Sequence, residues 1–274
     1  MFQKIGFIGT GSMGGALARA ADRGAAPGAV LYLANRTPAK AQALCGELSR
    51  AQVASNEEIA QHCDFIALGV KPQMMAGVLA GLRPILAERQ KRGDRFVVCS
   101  MAAGVTMQTL AELLGGEYPI IRILPNTPAA VGQGIAQYCA ANVTPEEKAG
   151  FLSLMAPSGL LDEMDEHMMA VANCISGCGV AFVAMFMEGL ADGAVACGLP
   201  REKALTCAAQ TLAGTGALYL QQRQHPGAMK DAVCSPGGVT IQGVRALEEH
   251  GFRSACAEAV VAAYERVQAM QKKD

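Results

Sequence analysis

The feature that most constrains the fold is a glycine-rich turn that follows the first apolar run of the chain. Residues Ile5–Ile8 are apolar apart from one glycine, and a helical stretch runs from Gly15 to Arg23. In a strand–turn–helix context, the glycines of a GxGxxG pattern allow a tight turn, close approach of the backbone to a pyrophosphate, and close helix–strand packing. The free N–H groups at the helix start then face the phosphates. The pattern, which alone would be weak, predicts a dinucleotide-binding loop made of Gly9, Thr10, Gly11, Ser12, Met13 and Gly14.

The end of the second apolar run indicates which dinucleotide binds. Sites selective for NAD usually carry Asp or Glu about twenty residues beyond the glycines, where the carboxylate holds the ribose 2′-hydroxyl. Here the corresponding residues are Asn35, Arg36 and Thr37, with no carboxylate. Arg36 can pair with a 2′-phosphate, and Asn35 and Thr37 can add neutral hydrogen bonds. We therefore expect NADPH, with some use of NADH. The alternative is that Arg36 faces solvent and Asn35 caps the next helix.

Short apolar runs alternate with helical stretches over roughly the first 160 residues. The runs are Lys4–Gly9, Ala29–Ala34, Phe65–Val70, Phe96–Ser100 and Ile120–Leu124. This alternation predicts a doubly wound parallel sheet. Two further short strands are expected at Gly134–Cys139 and Gly159–Asp162. Beyond them, strand-like runs end and Ala, Met, Leu and Gln dominate. We expect an α/β Rossmann-type dinucleotide-binding domain over residues 1–162, followed by an all-α C-terminal domain over residues 163–274.

Composition and charge argue against several classes of partner. Twenty-three Lys and Arg nearly balance 24 Asp and Glu, which leaves a formal charge of −1 and no basic stripe for nucleic acid or polybasic arm for a membrane. The ten cysteines contain no CxxC pair, so we expect reduced thiols, no metal and a cytoplasmic protein. No signal peptide is expected at the N-terminus. The uncharged stretch Met168–Met187 is long enough for a membrane span, but Asn173 and Ser176 interrupt it. We expect a buried interface helix there, with Met185, Met187 and the nearby cysteines in the core.

Several motifs, in order along nearly the whole chain, resemble those of pyrroline-5-carboxylate reductases. They are Val70-Lys71-Pro72-Gln73, Ala102-Ala103-Gly104-Val105, Pro125-Asn126-Thr127-Pro128, Asp192-Gly193, Gly198-Leu199-Pro200-Arg201, His225-Pro226-Gly227 and Ser235-Pro236-Gly237-Gly238-Val239-Thr240-Ile241. The last of these is the most specific. The resemblance implies reduction of 1-pyrroline-5-carboxylate to L-proline by hydride transfer from NAD(P)H. It also implies a homodimer, with larger assemblies of dimers allowed.

The resemblance also implies individual contacts. Further cofactor contacts would be Asn56, Val70, Lys71, Pro72, Met101, Ala102 and Ala103, and substrate contacts would be Glu166, Val239 and Thr240. Thr240 would lie beside the ring nitrogen as the catalytic residue. On charge and position alone, Lys71 and Glu166 would be solvated charges. Departures from the family pattern stand at Val180, Ala232 and Val239.

A carboxylate-binding segment is expected just before residue 239. The stretch with Ser235, Gly237 and Gly238 is typical of the entry to a helix, whose free N–H groups suit the substrate carboxylate. The alternative is an ordinary helix start with Ser235 as its capping residue.

Two other functions remain open from the sequence. One is a beta-hydroxyacid dehydrogenase, which places a catalytic lysine on the first long helix after the nucleotide domain. No lysine occurs between Lys148 and Lys203, which argues against it. The other is a non-catalytic protein that senses the dinucleotide and signals through a partner.

Overall fold

The computed structural model describes residues 2–271, which form two compact units. The first contains the described residues up to Gly177 together with residues 269–271, and the second contains Cys178–Gln268. The expected domain boundary at 162–163 therefore lies ahead of the observed division. The reason is helix Glu166–Ser176, which buries Met169 and Cys174 and packs on two strands of the sheet.

The first unit is a three-layer α/β structure. Its strands are β1 Lys4–Ile8, β2 Val30–Ala34, β3 Ala51–Val53, β4 Phe65–Leu68, β5 Val97–Ser100, β6 Ile120–Pro125, β7 Gly134–Ala141 and β8 Gly159–Glu163. Its helices are α1 Ser12–Gly24, α2 Pro38–Glu47, α3 Asn56–His62, α4 Pro72–Lys91, α5 Met107–Leu114, α6 Pro145–Met155 and α7 Glu166–Ser176. The Rossmann-type α/β prediction is confirmed.

The strand order is β3-β2-β1-β4-β5-β6-β7-β8. Strands β1 to β6 run parallel, but β7 is antiparallel to β6 and carries β8 with it. The expected doubly wound parallel sheet is observed over β1 to β6. The two further strands run in the opposite direction, because β6 and β7 are joined by a short connection rather than a crossover helix. Every residue of β4, β5 and β6 is buried, as helices on both faces require.

Two apolar layers cover the sheet. On one face, Leu17 of α1, Leu44 of α2 and Phe151 of α6 belong to one buried cluster. On the other, Ile59 of α3 and Leu79 of α4 belong to a second cluster, which also contains Leu110 of α5. The carboxyl ends of β1, β2, β4 and β5 therefore meet at one edge of a rigid sheet, where ligands of such folds bind.

The second unit is helical, as expected. It contains α8 Gly179–Ala196, α9 Arg201–Gln222, α10 Pro226–Ala232, α11 Val239–Glu249 and all but the last three residues of α12 Phe252–Gln271. Helices α8 and α9 pack together, and Phe186 contacts Phe252 with ring centroids 5.1 Å apart.

The second unit has little core of its own. Among its described residues, the buried apolar side chains are Ala191, Ala204 and Ala208. Met185 is 71% exposed and Cys197 is exposed, so their expected place in the core was wrong for a single chain. Exposed apolar side chains grouped on one helical unit are typical of an interaction face.

Among residues 2–271, one apolar stretch passes a length-and-composition test for a membrane span. It runs over Glu166–Ala196. In the structure it is broken by a turn at residues 177–178 into α7 and α8. A single stretch of this kind is weak evidence for a membrane, since core helices of other proteins pass the same test.

Candidate active site

Three backbone segments converge at the glycine-rich loop. Gly9 has φ +95°, which only glycine adopts readily. A Cβ on Gly9 would lie 2.7 Å from the carbonyl carbon of Gly69, which follows β4. A Cβ on Gly14 or on Gly69 would overlap the carbonyl oxygen of Gly9. The end of β1, the start of α1 and the end of β4 thus touch through backbone atoms, at a distance that no side chain permits.

The remaining glycine of the loop faces open space. Gly11 is the N-cap of α1, and no side chain caps this end of the helix. A Cβ added to Gly11 would meet no atom within 4 Å. The first amides of α1 therefore face an open cradle, the concave side of the loop from Gly9 to Gly14, where no protein atom lies beside Gly11. An anionic pyrophosphate fits this place, because it satisfies free N–H groups at the positive end of a helix dipole.

Two neighbouring loops border the cradle at the same edge of the sheet. Val70 follows β4 and is half-buried, and Lys71 is the exposed N-cap of α4, followed by Pro72 in the first turn. After β5, the Met101 amide donates to the Leu68 carbonyl oxygen at 3.2 Å. Ala102 is buried and Ala103 is exposed. The strand order thus brings together the three loops that the sequence assigned to the cofactor.

Asn35 ties the end of β2 to the glycine loop. Its Nδ2 donates to Thr10 Oγ1 at 3.0 Å, and its Oδ1 accepts from the Thr37 amide at 3.0 Å. The alternative in which Asn35 caps the next helix was wrong, since Thr37 is the N-cap of α2. Arg36 is exposed and forms no ion pair with any described residue. Its guanidinium is therefore available to a ligand.

A pocket of about 270 Å³ lies beside these residues. Its lining includes Asn35, Arg36, Ser55 and Asn56. Asn56 is the first residue of α3, whose N-cap Ser55 and Glu58 form a reciprocal capping box. Donor groups thus converge where the adenosine end of a dinucleotide would extend from the cradle.

Glu166 is not the solvated charge that its position alone suggested. Its Oε1 accepts from Arg122 Nη1 at 3.1 Å and from the Met107 amide at 2.8 Å. Arg122 is buried on β6, and its Nε has no hydrogen-bond partner. Arg122 was not among the predicted site residues, although a charge inside an otherwise apolar strand was a signal that could have identified it.

The segment before α11, residues 235–238, lies at the surface of the second unit, where residues 235–237 are exposed and Gly238 is half-buried. Gly237 has φ +68°, and the Gly238 amide donates to the Ser235 carbonyl oxygen at 3.0 Å. The N-cap of α11 is Gly238, with no side-chain hydrogen bond, so the alternative with Ser235 as the capping residue was wrong. Val239 is 91% exposed and Thr240 is exposed. The first amides of α11 and the Thr240 hydroxyl are therefore free for a ligand.

A buried polar network that the sequence analysis also missed fixes the end of α7. Asn126 Nδ2 donates to the Ser176 carbonyl oxygen at 3.0 Å, and Asn126 Oδ1 accepts from the Ile135 amide at 3.0 Å. Ser176 Oγ donates to Gln137 Oε1 at 2.8 Å. The network explains the amide in the motif Pro125-Asn126-Thr127-Pro128 as a structural anchor rather than a ligand contact.

The described residues provide neither an activated thiol at Cys63 or Cys139 nor a cluster of metal ligands. Burial raises the pKa of the Cys63 thiol to about 12 and that of the Cys139 thiol to about 11, so both stay protonated at neutral pH. No group of three His, Cys, Asp or Glu residues in the described part of the chain could hold a metal. The site is one of backbone amides, hydroxyls and a few charges.

Comparison with known proteins agrees with this arrangement. A family model described as pyrroline-5-carboxylate reductase dimerisation matches residues 166–270, and one described as NADP oxidoreductase, coenzyme F420-dependent, matches residues 4–103. The pyrroline-5-carboxylate reductase of Escherichia coli (strain K12) is 40% identical over 99% of this chain and 100% of its own length. That of Pisum sativum is 37% identical over 96% of this chain and 94% of its own.

A solved structure gives the same result in three dimensions. The crystal structure of Plasmodium falciparum pyrroline carboxylate reductase with NADP bound has a TM-score of 0.81 and 33% identity, and the match covers 98% of each chain. Identity at this level over almost the full length shows common descent and not merely a shared fold. The chain belongs to the pyrroline-5-carboxylate reductase family.

Proposed function

We propose that this protein reduces 1-pyrroline-5-carboxylate to L-proline with NADPH, the last step of proline biosynthesis. The observation that carries the proposal is the match with relatives of that name over almost the whole chain, including both units. The open cradle at Gly11 and the uncapped start of α11 supply the two anion-binding places that a dinucleotide and a carboxylate substrate need.

The first unit would hold the cofactor. The pyrophosphate would lie on the amides of the loop from Gly9 to Gly14, and the loops Val70–Pro72 and Met101–Ala103 would line the nicotinamide half. Asn35, Arg36, Thr37 and Asn56 would hold the adenosine end. When bound, NADPH supplies a hydride to the C=N carbon of the substrate.

The choice of NADPH over NADH would rest on Arg36. Asn35 is already engaged with Thr10 and Thr37, so it orders the turn and leaves Arg36 as the charged group for a 2′-phosphate. No carboxylate stands among Asn35, Arg36 and Thr37 to repel that phosphate. The relative from Plasmodium falciparum, solved with NADP bound, supports the same choice.

The second unit would hold the substrate. The amides of α11 from Val239 onward would bind its carboxylate, with Ser235, Gly237 and Gly238 shaping the turn, and the Thr240 hydroxyl would orient the ring nitrogen. Val239 would contribute its backbone, which explains why its departure from the family pattern is compatible with activity. Glu166 would add a polar contact, since its Oε2 accepts no hydrogen bond from the described residues.

The chemistry asks the protein mainly to position and to exclude water. A protonated imine is already a strong electrophile, so neither a nucleophile nor a general acid is required of Thr240. Orienting two rings and removing solvent can account for a large part of such a rate enhancement. The absence of an activated thiol among Cys63, Cys99 and Cys139 is consistent with this account.

We also propose a homodimer in the cytoplasm, formed through the helical unit. The support is the match to the family's dimerisation model and the exposed apolar side chains of α8 to α12. These include Val183, Met185, Leu190, Leu220, Val233, Val239 and Val261. A unit whose buried apolar side chains are three alanines needs a partner surface to remain folded.

The test is the oxidation of NADPH by the purified protein, followed by absorbance, with pyrroline-5-carboxylate as substrate and proline measured as product. Turnover with stoichiometric proline supports the proposal. Binding of NADPH without turnover would instead support the non-catalytic sensor. Oxidation of small beta-hydroxyacids with NADP, in the absence of any activity on the imine, would indicate the hydroxyacid dehydrogenase.

A further inference from the structure

Arg122 is a buried arginine with one hydrogen-bond donor, Nε, that has no partner. Arg122 lies in the middle of β6 and is 4% exposed, between Ile121 and Ile123, which are fully buried. Its Nη1 donates to Glu166 Oε1, but its Nε is buried with no partner. A buried guanidinium with an unsatisfied donor costs stability, and an apolar residue of similar size would often stabilise the sheet better. Stability alone therefore does not explain an arginine here.

The bond network of Arg122 leads to a loop that is already part of the site. Glu166 Oε1 also accepts from the amide of Met107, the first residue of α5. The segment between β5 and α5 is residues 101–106, which includes Met101, Ala102 and Ala103. Glu166 therefore holds the far end of the loop that is proposed to line the cofactor.

The near end of the same loop is tied to the same strand. Ser100, the last residue of β5, pairs in register with Arg122, and Ser100 Oγ accepts from the Ala102 amide at 3.3 Å. The loop is thus anchored by the sheet at one end and by the Arg122–Glu166 pair at the other. Arg122 takes part at both ends of the loop, because it pairs in register with Ser100 and donates a hydrogen bond to Glu166.

The surroundings of the pair make the ion pair decisive for the position of Glu166. Leu124, Cys139 and Met169 are buried beside it, with Met107 and Met164 packed on them. The Cys139 thiol donates to Met107 Sδ at 3.7 Å. In this apolar, sulfur-rich cluster Arg122 is the charged group that bonds Glu166, and a carboxylate without it would turn toward solvent.

We infer that Arg122 is a positioning residue for the cofactor-lining loop, residues 101–106, and that it acts through the Glu166 carboxylate and the Met107 amide. This inference rests on the proposed function, since that proposal assigns Met101–Ala103 to the cofactor. Because Arg122 is buried in the sheet, it would act through Glu166 rather than by contact with the cofactor or the substrate. Its effect is to hold Glu166 in place, and Glu166 then fixes where α5 begins.

The test uses the dissociation constant for NADPH, measured by fluorescence titration of the purified full-length protein without substrate. Arg122→Met removes the ion pair but keeps the length of the side chain. We expect the dissociation constant to rise by roughly tenfold, as expected for a displaced binding loop. The control is Arg89→Met, which also removes a buried arginine and its ion pair, with Asp94, from the far end of α4. The control should lose melting temperature and keep its affinity for NADPH.

Three further variants separate positioning from simple loss of structure. Arg122→Lys keeps a charge for Glu166 and serves if the methionine variant fails to fold; its affinity should stay within a few fold of the wild type. Glu166→Gln should weaken NADPH, and the double variant should bind no more weakly than Arg122→Met, because both changes break the same chain of contacts.

Clear outcomes overturn the inference. Wild-type affinity in Arg122→Met, equal weakening in the lysine and methionine variants, or effects of Arg122→Met and Glu166→Gln that multiply in the double variant would each do so. These results are independent of turnover. A wild-type protein that binds NADPH but does not reduce the imine would overturn only the proposed substrate, and one that binds no NADPH would overturn the proposed function as a whole.

Discussion

Two glycines of the same loop should respond in opposite ways to the same substitution. Gly14→Ala places a Cβ within 3.0 Å of the Gly9 carbonyl oxygen and 3.2 Å from its carbonyl carbon. These are backbone atoms, so relief requires α1 or the loop to move by roughly an ångström, and overpacking of this kind costs about 3 kcal/mol, the upper part of its usual range. In a chain of this size that loss lowers the melting temperature by about 6–12 °C.

Gly11→Ala should leave the fold intact and damage cofactor binding. Gly11 has φ −71° and ψ −163°, which alanine adopts without strain, and nothing lies within 4 Å of the new Cβ. Its weaker capping is offset by the smaller entropy of the unfolded chain, so the net change should stay below about 1 kcal/mol. A methyl group in the cradle would, however, displace the pyrophosphate from at least one charge-assisted hydrogen bond. NADPH affinity should fall by about tenfold to a hundredfold, equivalent to about 1.5–3 kcal/mol.

The assay pairs a thermal melt without ligand with a fluorescence titration of NADPH, applied to both variants and the wild type. Wild-type affinity in Gly11→Ala would show that the space before α1 is not the pyrophosphate site. A large loss of melting temperature in Gly11→Ala, or none in Gly14→Ala, would refute the packing argument.

Thr240→Ala should lower kcat/KM by roughly tenfold to a few hundredfold with NADPH affinity unchanged, and Thr240→Ser should recover most of it; a lower melting temperature with normal turnover would instead make Thr240 a helix-start residue. Arg36→Ala should weaken NADPH by about 1.5–3 kcal/mol and NADH far less, and equal weakening of both in steady-state kinetics would contradict the role of Arg36. Light scattering at micromolar concentration should report a dimer, which Met185→Asp should disrupt, and a stable wild-type monomer would count against the interface. A hydrogen bond from Arg89 holds the pKa of the Asp94 carboxyl below its ordinary value. The ionised carboxylate therefore stabilises the folded state fully at pH values above the pKa of the unfolded chain, about 3.9, and this stabilisation is lost as the pH falls through the lower pKa of the folded state. Asp94→Asn should therefore reduce the difference in melting temperature between neutral and strongly acidic pH, and an unchanged difference would rule this contribution out.

Local patterns in the sequence identified the parts of the fold whose cause is local. The buried strands in the middle of the sheet are apolar at most positions, and seven of the eight strands could be recognised as apolar runs in the sequence. Strand β3 was not predicted because it is only three residues long and is mostly exposed at the edge of the sheet. The reversed direction of β7 and β8 leaves no mark on either strand, since burial alternates in the same way in both directions.

The rest depended on contacts between distant residues. Arg122 and Glu166 are 44 positions apart, so no spacing rule joins them, and each alone resembles an ordinary charge. Asn35 was predicted to bind the cofactor, but no pattern indicated its bond to Thr10, which crosses 25 positions. Met185 shows the opposite limit: an apolar helix face is the same whether its own chain or another copy covers it, and only the structure of one chain shows it exposed.

The convergence of Gly9, Gly14 and Gly69 limits how this protein can diversify. Because each would collide with the backbone of another, the three positions form a block in which a change at one cannot be relieved by a second side chain. Arg36 and its neighbours lie on the rim of an open pocket, where substitutions meet solvent. A laboratory selection for a changed coenzyme preference should therefore accumulate its mutations at the end of β2 and leave the glycine block untouched, so that the fold and the coenzyme preference can be altered independently.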